Sequence, residues 1–403
     1  MKTDRRQLNI LYFVSQCGYW FASCTIFSFS TVFLLHRELS VSCIGVVIAL
    51  GSILGTVAQP FFAGAVDQGY IRLHTLMKVL VYLLAVCMAL LFFVKGPRVL
   101  IIAIFLIADI LLWVIMSQEN SLSIYYVNRG IFLDFGIARA GGSAAFAVAS
   151  VILGWLAQRF SASAVMIGGG AGLAVLLVSI YYLPVLDETK QECADEKRQK
   201  RTASGGFLAF IKKYKKFTAV LIGVAMLFNF HNMNVAYSIN IIERFGGNAS
   251  HLGLGFSLAA FAEIPMLLLF LRVNKRISSN RLLIVAGGFF IVKSFCFVFC
   301  GSIRLFYLIQ IFNMGSNALI LPACVRYADE MMEPGDKYKG QAFVVGADAL
   351  GNVLGTLLGG FIVDYAGVNA MIRFGVVFAV IGFLLLIFNG KNPEEKQIVL
   401  ISD

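Results

Sequence analysis

Apolar runs long enough to cross a lipid bilayer recur from end to end of this 403-residue chain. A helix rises about 1.5 Å per residue, so about twenty apolar residues span a hydrocarbon core of about 30 Å. A water-soluble alternative would need charged surfaces. Here 59% of residues are hydrophobic and only 14% charged, too little polar surface for a soluble chain of this length. A spanning barrel would show alternating segments of about ten residues, and the sequence has none. The predicted class is therefore an all-α polytopic membrane protein.

Apolar runs between charge clusters predict twelve spans, near 8–35, 42–66, 71–94, 98–126, 135–158 and 163–185, then 217–243, 250–272, 281–300, 303–327, 339–364 and 369–389. They divide six and six about 187–216, the only long stretch dense in charge. The expected organisation is a six-helix bundle over 1–186, a basic linker over 187–216, a second six-helix bundle over 217–390 and a tail over 391–403. Positive charge reports orientation in such a chain, so the net +11 does not predict nucleic-acid binding. Single arginines occupy the turns at Arg37, Arg159, Arg244 and Arg304, while the N-terminus, the turn at 67–78, the linker and Arg272–Arg276 are richer. Both termini and the linker are expected to be cytoplasmic.

Seven cysteines (Cys17, Cys24, Cys43, Cys87, Cys296, Cys300 and Cys324) fall in or beside spans without ligand spacing, which predicts free thiols and no metal. The first apolar run is far longer than that of a signal peptide and is expected to be retained. In the linker, Lys197–Arg201 reads as a flexible strap. The amphipathic stretch from Phe207 to Lys216 reads as a surface helix drawn to anionic lipid head groups.

Polar groups inside the spans are the candidate functional residues, because an intramembrane charge is expensive. In span 5, Arg139, Ser143 and Phe146 fall at i, i+4 and i+7, one helical face. A guanidinium beside a hydroxyl and an aromatic ring suits a solute bearing hydroxyls or an anion. The plainer reading has Arg139 snorkel to the surface. Glu263 lies near the middle of span 8, and Lys293 in span 9 is expected to be its counter-ion, which makes proton transfer available. Span 4 carries Asp109, Trp113 and Asn120 on one face and Glu119 on another; span 11 adds Asp348 and Asn352. His231 is a lone histidine in span 7, a titrating group or a hydrogen-bonded helix residue. Asn229, Asn232 and Asn240 on span 7, and Gln310, Asn313 and Asn317 on span 10, form neutral stripes that either bind solute or join helices. Gln16, Tyr19, Trp20 and Ser23 follow helical spacing in span 1. Gly351, Gly355 and Gly359 predict a close packing seam.

Six plus six spans with a cytoplasmic linker resembles the major facilitator superfamily, whose two halves enclose a solute site at the membrane midplane. Gln59-Pro-Phe-Phe-Ala-Gly-Ala-Val-Asp67 followed by Arg72 is similar to that superfamily's turn between helices 2 and 3, which implies a conformational gate. Gly359-Gly-Phe-Ile-Val-Asp364 is expected to echo it in the second half. The span 5 signature Asp134-Phe-Gly-Ile-Ala-Arg139, with Glu263-Ile-Pro265, resembles the lactose permease branch of oligosaccharide and nucleoside proton symporters. The resemblance implies that Arg139 and Glu263 bind solute and that Phe146 stacks on a sugar ring. Trp20, Asn232 and Asn313 join them as candidate solute contacts. Glu263, Lys293, Glu119, Asp109, Asp348 and His231 are candidates for proton or charge relay, and Asp67, Arg72 and Asp364 for the gate. Span 10 departs from the branch, reading Gln310, Asn313 and Ser316 where it carries a Lys, a His and a Glu. Span 7 lacks the branch's Asp, which pairs with a Lys in helix 11; the His231-Asn232 region replaces that Asp and is expected to face Asn352.

The expected function is secondary transport of a small polar solute, most simply an oligosaccharide, with protons, by alternating access. A nucleoside or aromatic-acid symporter, an uncoupled facilitator and a non-transporting sensor are the alternatives. Drug efflux is disfavoured because span 5 lacks the Gly-Pro motif of those antiporters. No nucleotide, triad or metal motif is present, so no enzyme and no cofactor are expected. The resemblance further implies a monomer in a bacterial cytoplasmic membrane, whose partners are the solute, protons and the lipid bilayer.

Overall fold

The computed structural model describes residues 5–186, 207–274, 276–333 and 336–389, and every regular element among them is helical. Twelve spans are formed. Span 1 is Arg5–Phe27 continued by Ser30–His36; span 2 is Val41–Asp67, span 3 Leu73–Phe93, span 4 Arg98–Val127, span 5 Phe135–Arg159 and span 6 Ala164–Tyr182. Span 7 is Lys215–Ala236 continued by Ser238–Glu243, span 8 is Ala249–Asn274 and span 9 is Ser279–Val298. Span 10 has three pieces, Ile303–Gln310, the 3₁₀ turn Ile311–Met314 and Asn317–Met331.

Spans 11 and 12 lie in one continuous run, Lys337–Asn389, which reverses at Gly367 (φ 81°, ψ 169°), a conformation an L side chain resists. The reversal is visible in the packing. Gly351, Gly355 and Gly359 press in order along span 7 from Phe228 to Tyr237, while beyond the turn Gly375 meets Phe230 and Gly382 meets Gly223. Span 11 thus runs parallel to span 7 and span 12 antiparallel to it, and the three glycines form the packing seam expected of them.

Local sequence explains the element ends. Ser40, Asp134 and Ser302 each accept a hydrogen bond from the backbone N–H three residues on, at Cys43, Ile137 and Leu305, satisfying an orphan donor of the helix start. Large apolar side chains such as Phe61, Phe93, Leu268 and Phe388 remain exposed around the bundle, as a hydrocarbon solvent requires. With twelve spans the two chain ends share one membrane face, called here the terminal face; the opposite side is the far face.

The two six-helix halves meet along spans 2 and 11 and along spans 5 and 8. A Cβ on Gly253 would stand 2.2 Å from the Ser150 carbonyl oxygen, and one on Gly154 2.6 Å from that of Ala249. A Cβ on Gly45 would meet the Thr356 carbonyl oxygen at 2.5 Å. Only glycine permits such backbone approach. Thr31 donates to the Ala236 carbonyl at 2.6 Å and Ser250 to that of Gly154 at 3.3 Å, so hydrogen bonds also cross between the halves at the far side.

The linker from 187 to 206 and the tail from 390 lie outside the described residues. The short helix after the linker, expected to meet lipid head groups, also contacts protein. Phe207–Lys213 docks on protein: Phe210 is buried and stacks on Phe343 at 4.5 Å, and Lys213 pairs with Glu333 at 2.7 Å and Asp336 at 2.8 Å. Tyr214 donates to the same Asp336 at 3.0 Å.

Candidate functional site

In the first half, span 5 begins at Phe135 and carries Arg139 one turn in, where its Nη1 donates to Ser143 Oγ at 2.9 Å. The guanidinium carbon lies 3.9 Å from the centroid of Trp20 on span 1, a cation–π contact. Gly142 makes room for it, since a Cβ there would stand 2.4 Å from the indole. Phe146 meets Trp20 edge-on at 6.4 Å. Arg139, Ser143, Phe146 and Trp20 are thereby brought together.

Behind Trp20 lies a polar chain that the sequence did not reveal. Trp20 Nε1 donates to Gln16 Oε1 at 3.2 Å, Gln16 Nε2 donates to Glu119 Oε2 at 3.2 Å, and Ser15 Oγ donates to Glu119 Oε1 at 2.5 Å. Glu119 is 1% exposed. Its face of span 4, set apart from Asp109 by the helical rotation, points at span 1. Ser15 and Tyr12, which also accepts from Gln16 at 3.2 Å, gave no signal beyond being polar in an apolar run.

The second half gathers around the break in span 10. Asn317, first residue of its inner helix, donates to Glu263 Oε1 at 2.9 Å. Lys293, 2% exposed, donates to Asn313 at 2.6 Å and has His231 Nδ1 at 3.5 Å; Asn313 donates to Gln310 at 3.3 Å. Asn232 is half-buried on span 7 beside His231. Glu263 lies within Coulombic range of both Arg139 and Lys293. The expectation that Lys293 is its counter-ion is corrected in one respect. Among the described residues no ion pair joins Glu263 to either cation; Asn317 donates to Glu263 and Asn313 accepts from Lys293 instead.

Five candidates stand apart from these groups. Asp109 and Trp113 pack against Gly51 and Gly55 of span 2, and Asn120 on the same face is exposed. Asp348 is half-buried, within Coulombic range of Cys324. Asn352 accepts from Ser52 of span 2 at 3.0 Å, a bond between the halves.

Asp67 and Asp364 fall on opposite membrane faces. Asp67 ends span 2 at the terminal face, where Arg72 occupies the cap position of span 3. Asp364 Oδ2 accepts from the backbone N–H of Ser42, at the start of span 2, at 2.7 Å. The two carboxylates sit at opposite ends of one 27-residue helix, about 40 Å apart at 1.5 Å per residue. Spans 2 and 11 run antiparallel, so equal positions near their C-termini fall on opposite faces.

Two bundles joined at the far side, with charged and amide groups in each half and a broken span 10 in the second, form a solute-transport architecture. Residues 6–387 match the MFS_1 like family. The chain belongs to that family. It is accordingly a major facilitator superfamily transporter of a small solute and not an enzyme. The chain is 24% identical over 386 residues to the maltose permease of Geobacillus stearothermophilus, covering 94% of each. It is 24% identical over 237 residues to the probable 3-phenylpropionic acid transporter of Escherichia coli (strain K12), covering 58% of this chain and 60% of that one. The crystal structure of the nucleoside transporter NupG superposes with a TM-score of 0.75 at 17% identity, covering 96% of this chain and 98% of that one. In this transporter the seven cysteines among the described residues are free.

Proposed function

We propose that this transporter carries a hydroxylated organic solute of the oligosaccharide type across a bacterial cytoplasmic membrane, coupled to protons, by alternating access. One observation carries the reading: Arg139, seated on the Trp20 indole in the first half, lies in Coulombic range of Glu263, held by Asn317 in the second. An indole and a phenyl ring beside charged and amide groups match the apolar faces and hydroxyl edges of a sugar. The similarity to maltose permease along 94% of the chain supports the same class. Glu263 takes the role of proton or solute carboxylate, and alternate opening of the terminal and far faces follows from the glycine seams. The richer positive charge of the terminal-face turns supports a cytoplasmic position for both chain ends.

The test is external pH in lightly buffered, de-energised proteoliposomes on addition of maltose and related sugars, with Glu263→Gln alongside. Alkalinisation lost in the variant is expected. Equilibration of labelled sugar without a pH change would refute proton coupling.

A further inference from the structure

Lys293 presents an electrostatic imbalance. Its ammonium has three N–H donors and is almost fully withdrawn from solvent, yet its two neighbours are neutral: Asn313 Oδ1 at 2.6 Å and His231 Nδ1 at 3.5 Å. No third acceptor is present among the described residues. The groups facing it are His231 from span 7, Glu263 from span 8 at Coulombic distance, and Asn313 and Gln310 from span 10. Glu263 is shared, since it interacts with Arg139 as well and its Oε1 is taken by Asn317. Glu263 is therefore the one carboxylate within Coulombic range of both cations, since the buried Glu119 is held by Ser15 and Gln16. A buried cation without its own anion is expensive and is retained where it has a task.

We infer that Lys293, with Asn313, forms an anion subsite, and that the transported solute carries a carboxylate that docks there. The inference rests on the interior between the halves being the solute site. It narrows the solute from hydroxylated compounds in general to their acids, such as sugar acids, and to ring-bearing acids of similar size. Neutral sugars leave the imbalance in place.

Equilibrium binding to the purified full chain in detergent, at fixed ionic strength and pH 7, tests this with two matched pairs: maltobionate against maltose, and 3-phenylpropionate against 3-phenylpropanamide. In at least one pair the acid is expected to bind about tenfold or more tightly than its neutral partner, a difference of about 1.4 kcal/mol. Lys293→Gln is expected to abolish the preference and Lys293→Arg to keep most of it. Asn313→Asp supplies an internal anion and is expected to abolish the preference while leaving Lys293 satisfied, which serves if Lys293→Gln fails to fold. Equal affinity within both pairs, failure of both acids to bind, or a preference that survives Lys293→Gln or Asn313→Asp would overturn the subsite. Maltose bound and taken up with alkalinisation, without acid preference, would overturn this inference and leave the proposed transport intact. An acid bound through Lys293 but not taken up would support the anion subsite and refute its use by the transported solute.

Discussion

The guanidinium of Arg139 rests 3.9 Å above the indole of Trp20, joining the start of span 5 to the middle of span 1. Neither residue is free to act alone. The stack holds a charge in a fixed orientation, and its desolvated cation–π energy is about 2 kcal/mol. Trp20→Leu is expected to weaken solute binding by roughly tenfold or more, as loss of that energy implies. Arg139→Lys is expected to do much the same, because an ammonium does not reproduce a planar fork over a ring. Titration of each variant with the bound solute checks both.

Glu119 is the buried end of the chain that reaches Trp20 through Gln16. Removing its carboxylate with Glu119→Ala leaves the Ser15 and Gln16 donors unpaired in a dry interior. The expected destabilisation is about 1–3 kcal/mol per orphaned group, read as a lowered midpoint in thermal unfolding. Gln16→Leu should leave Glu119 paired with Ser15 but free the indole N–H, shifting Trp20 emission against a background of two other tryptophans.

At the far face, the seam of Gly154 and Gly253 admits no side chain. Gly253→Leu is expected to force spans 5 and 8 apart and hold the far side open. Spin labels at Glu38 and Arg244, exposed positions on opposite halves, should separate in the variant relative to the parent. An unchanged distance would refute the seam as a closure.

The docked helix Phe207–Lys213 gives a prediction in pH. The Lys213 ammonium, followed by the Tyr214 hydroxyl, holds Asp336 below the ordinary carboxylate range, and Asp336 and Glu333 together raise Lys213. A depressed carboxylate contributes at pH values above its unfolded pKa of about 3.9 and is lost as pH falls through the folded value. A raised lysine contributes fully below its unfolded pKa of about 10.4 and is lost only as pH rises through its folded value. Hydrogen-exchange protection of 207–214 should therefore be flat between pH 5 and pH 9, and should fall in high salt, since these charges are exposed and screened. Protection that changes near neutrality would refute the pairing.

Much of the fold was legible because the membrane solvent leaves one solution for the backbone. Apolar runs at Val41–Asp67 or Leu73–Phe93 can only be helices there, and their length sets the span. The breaks were less visible. The interruption of span 10 around Asn313 falls among amides that fit an intact helix equally well, and the reversal at Gly367 was read only to within a few residues. Glu263 and Lys293 were conspicuous as charges in apolar runs, as was Arg139 with Ser143 and Phe146 on its own helical face.

The residues that face those charges were not legible. A one-dimensional pattern fixes the cost of burying Glu119 or Lys293, since desolvation depends on the group itself, but a partner's identity depends on which helices pack together. Spacing within span 4 could not show that Glu119 meets Ser15 and Gln16 over a hundred residues away. Span counting alone puts Asp67 and Asp364 on opposite faces, but it could not reveal that Asp364 meets the start of span 2. Sequence determined that the chain lies in a membrane, how many times it crosses and which side chains are too costly to be idle. The tertiary structure decided which of those meet, because hydrogen bonds and Coulombic contacts act over a few ångströms and only packing brings distant helices that close.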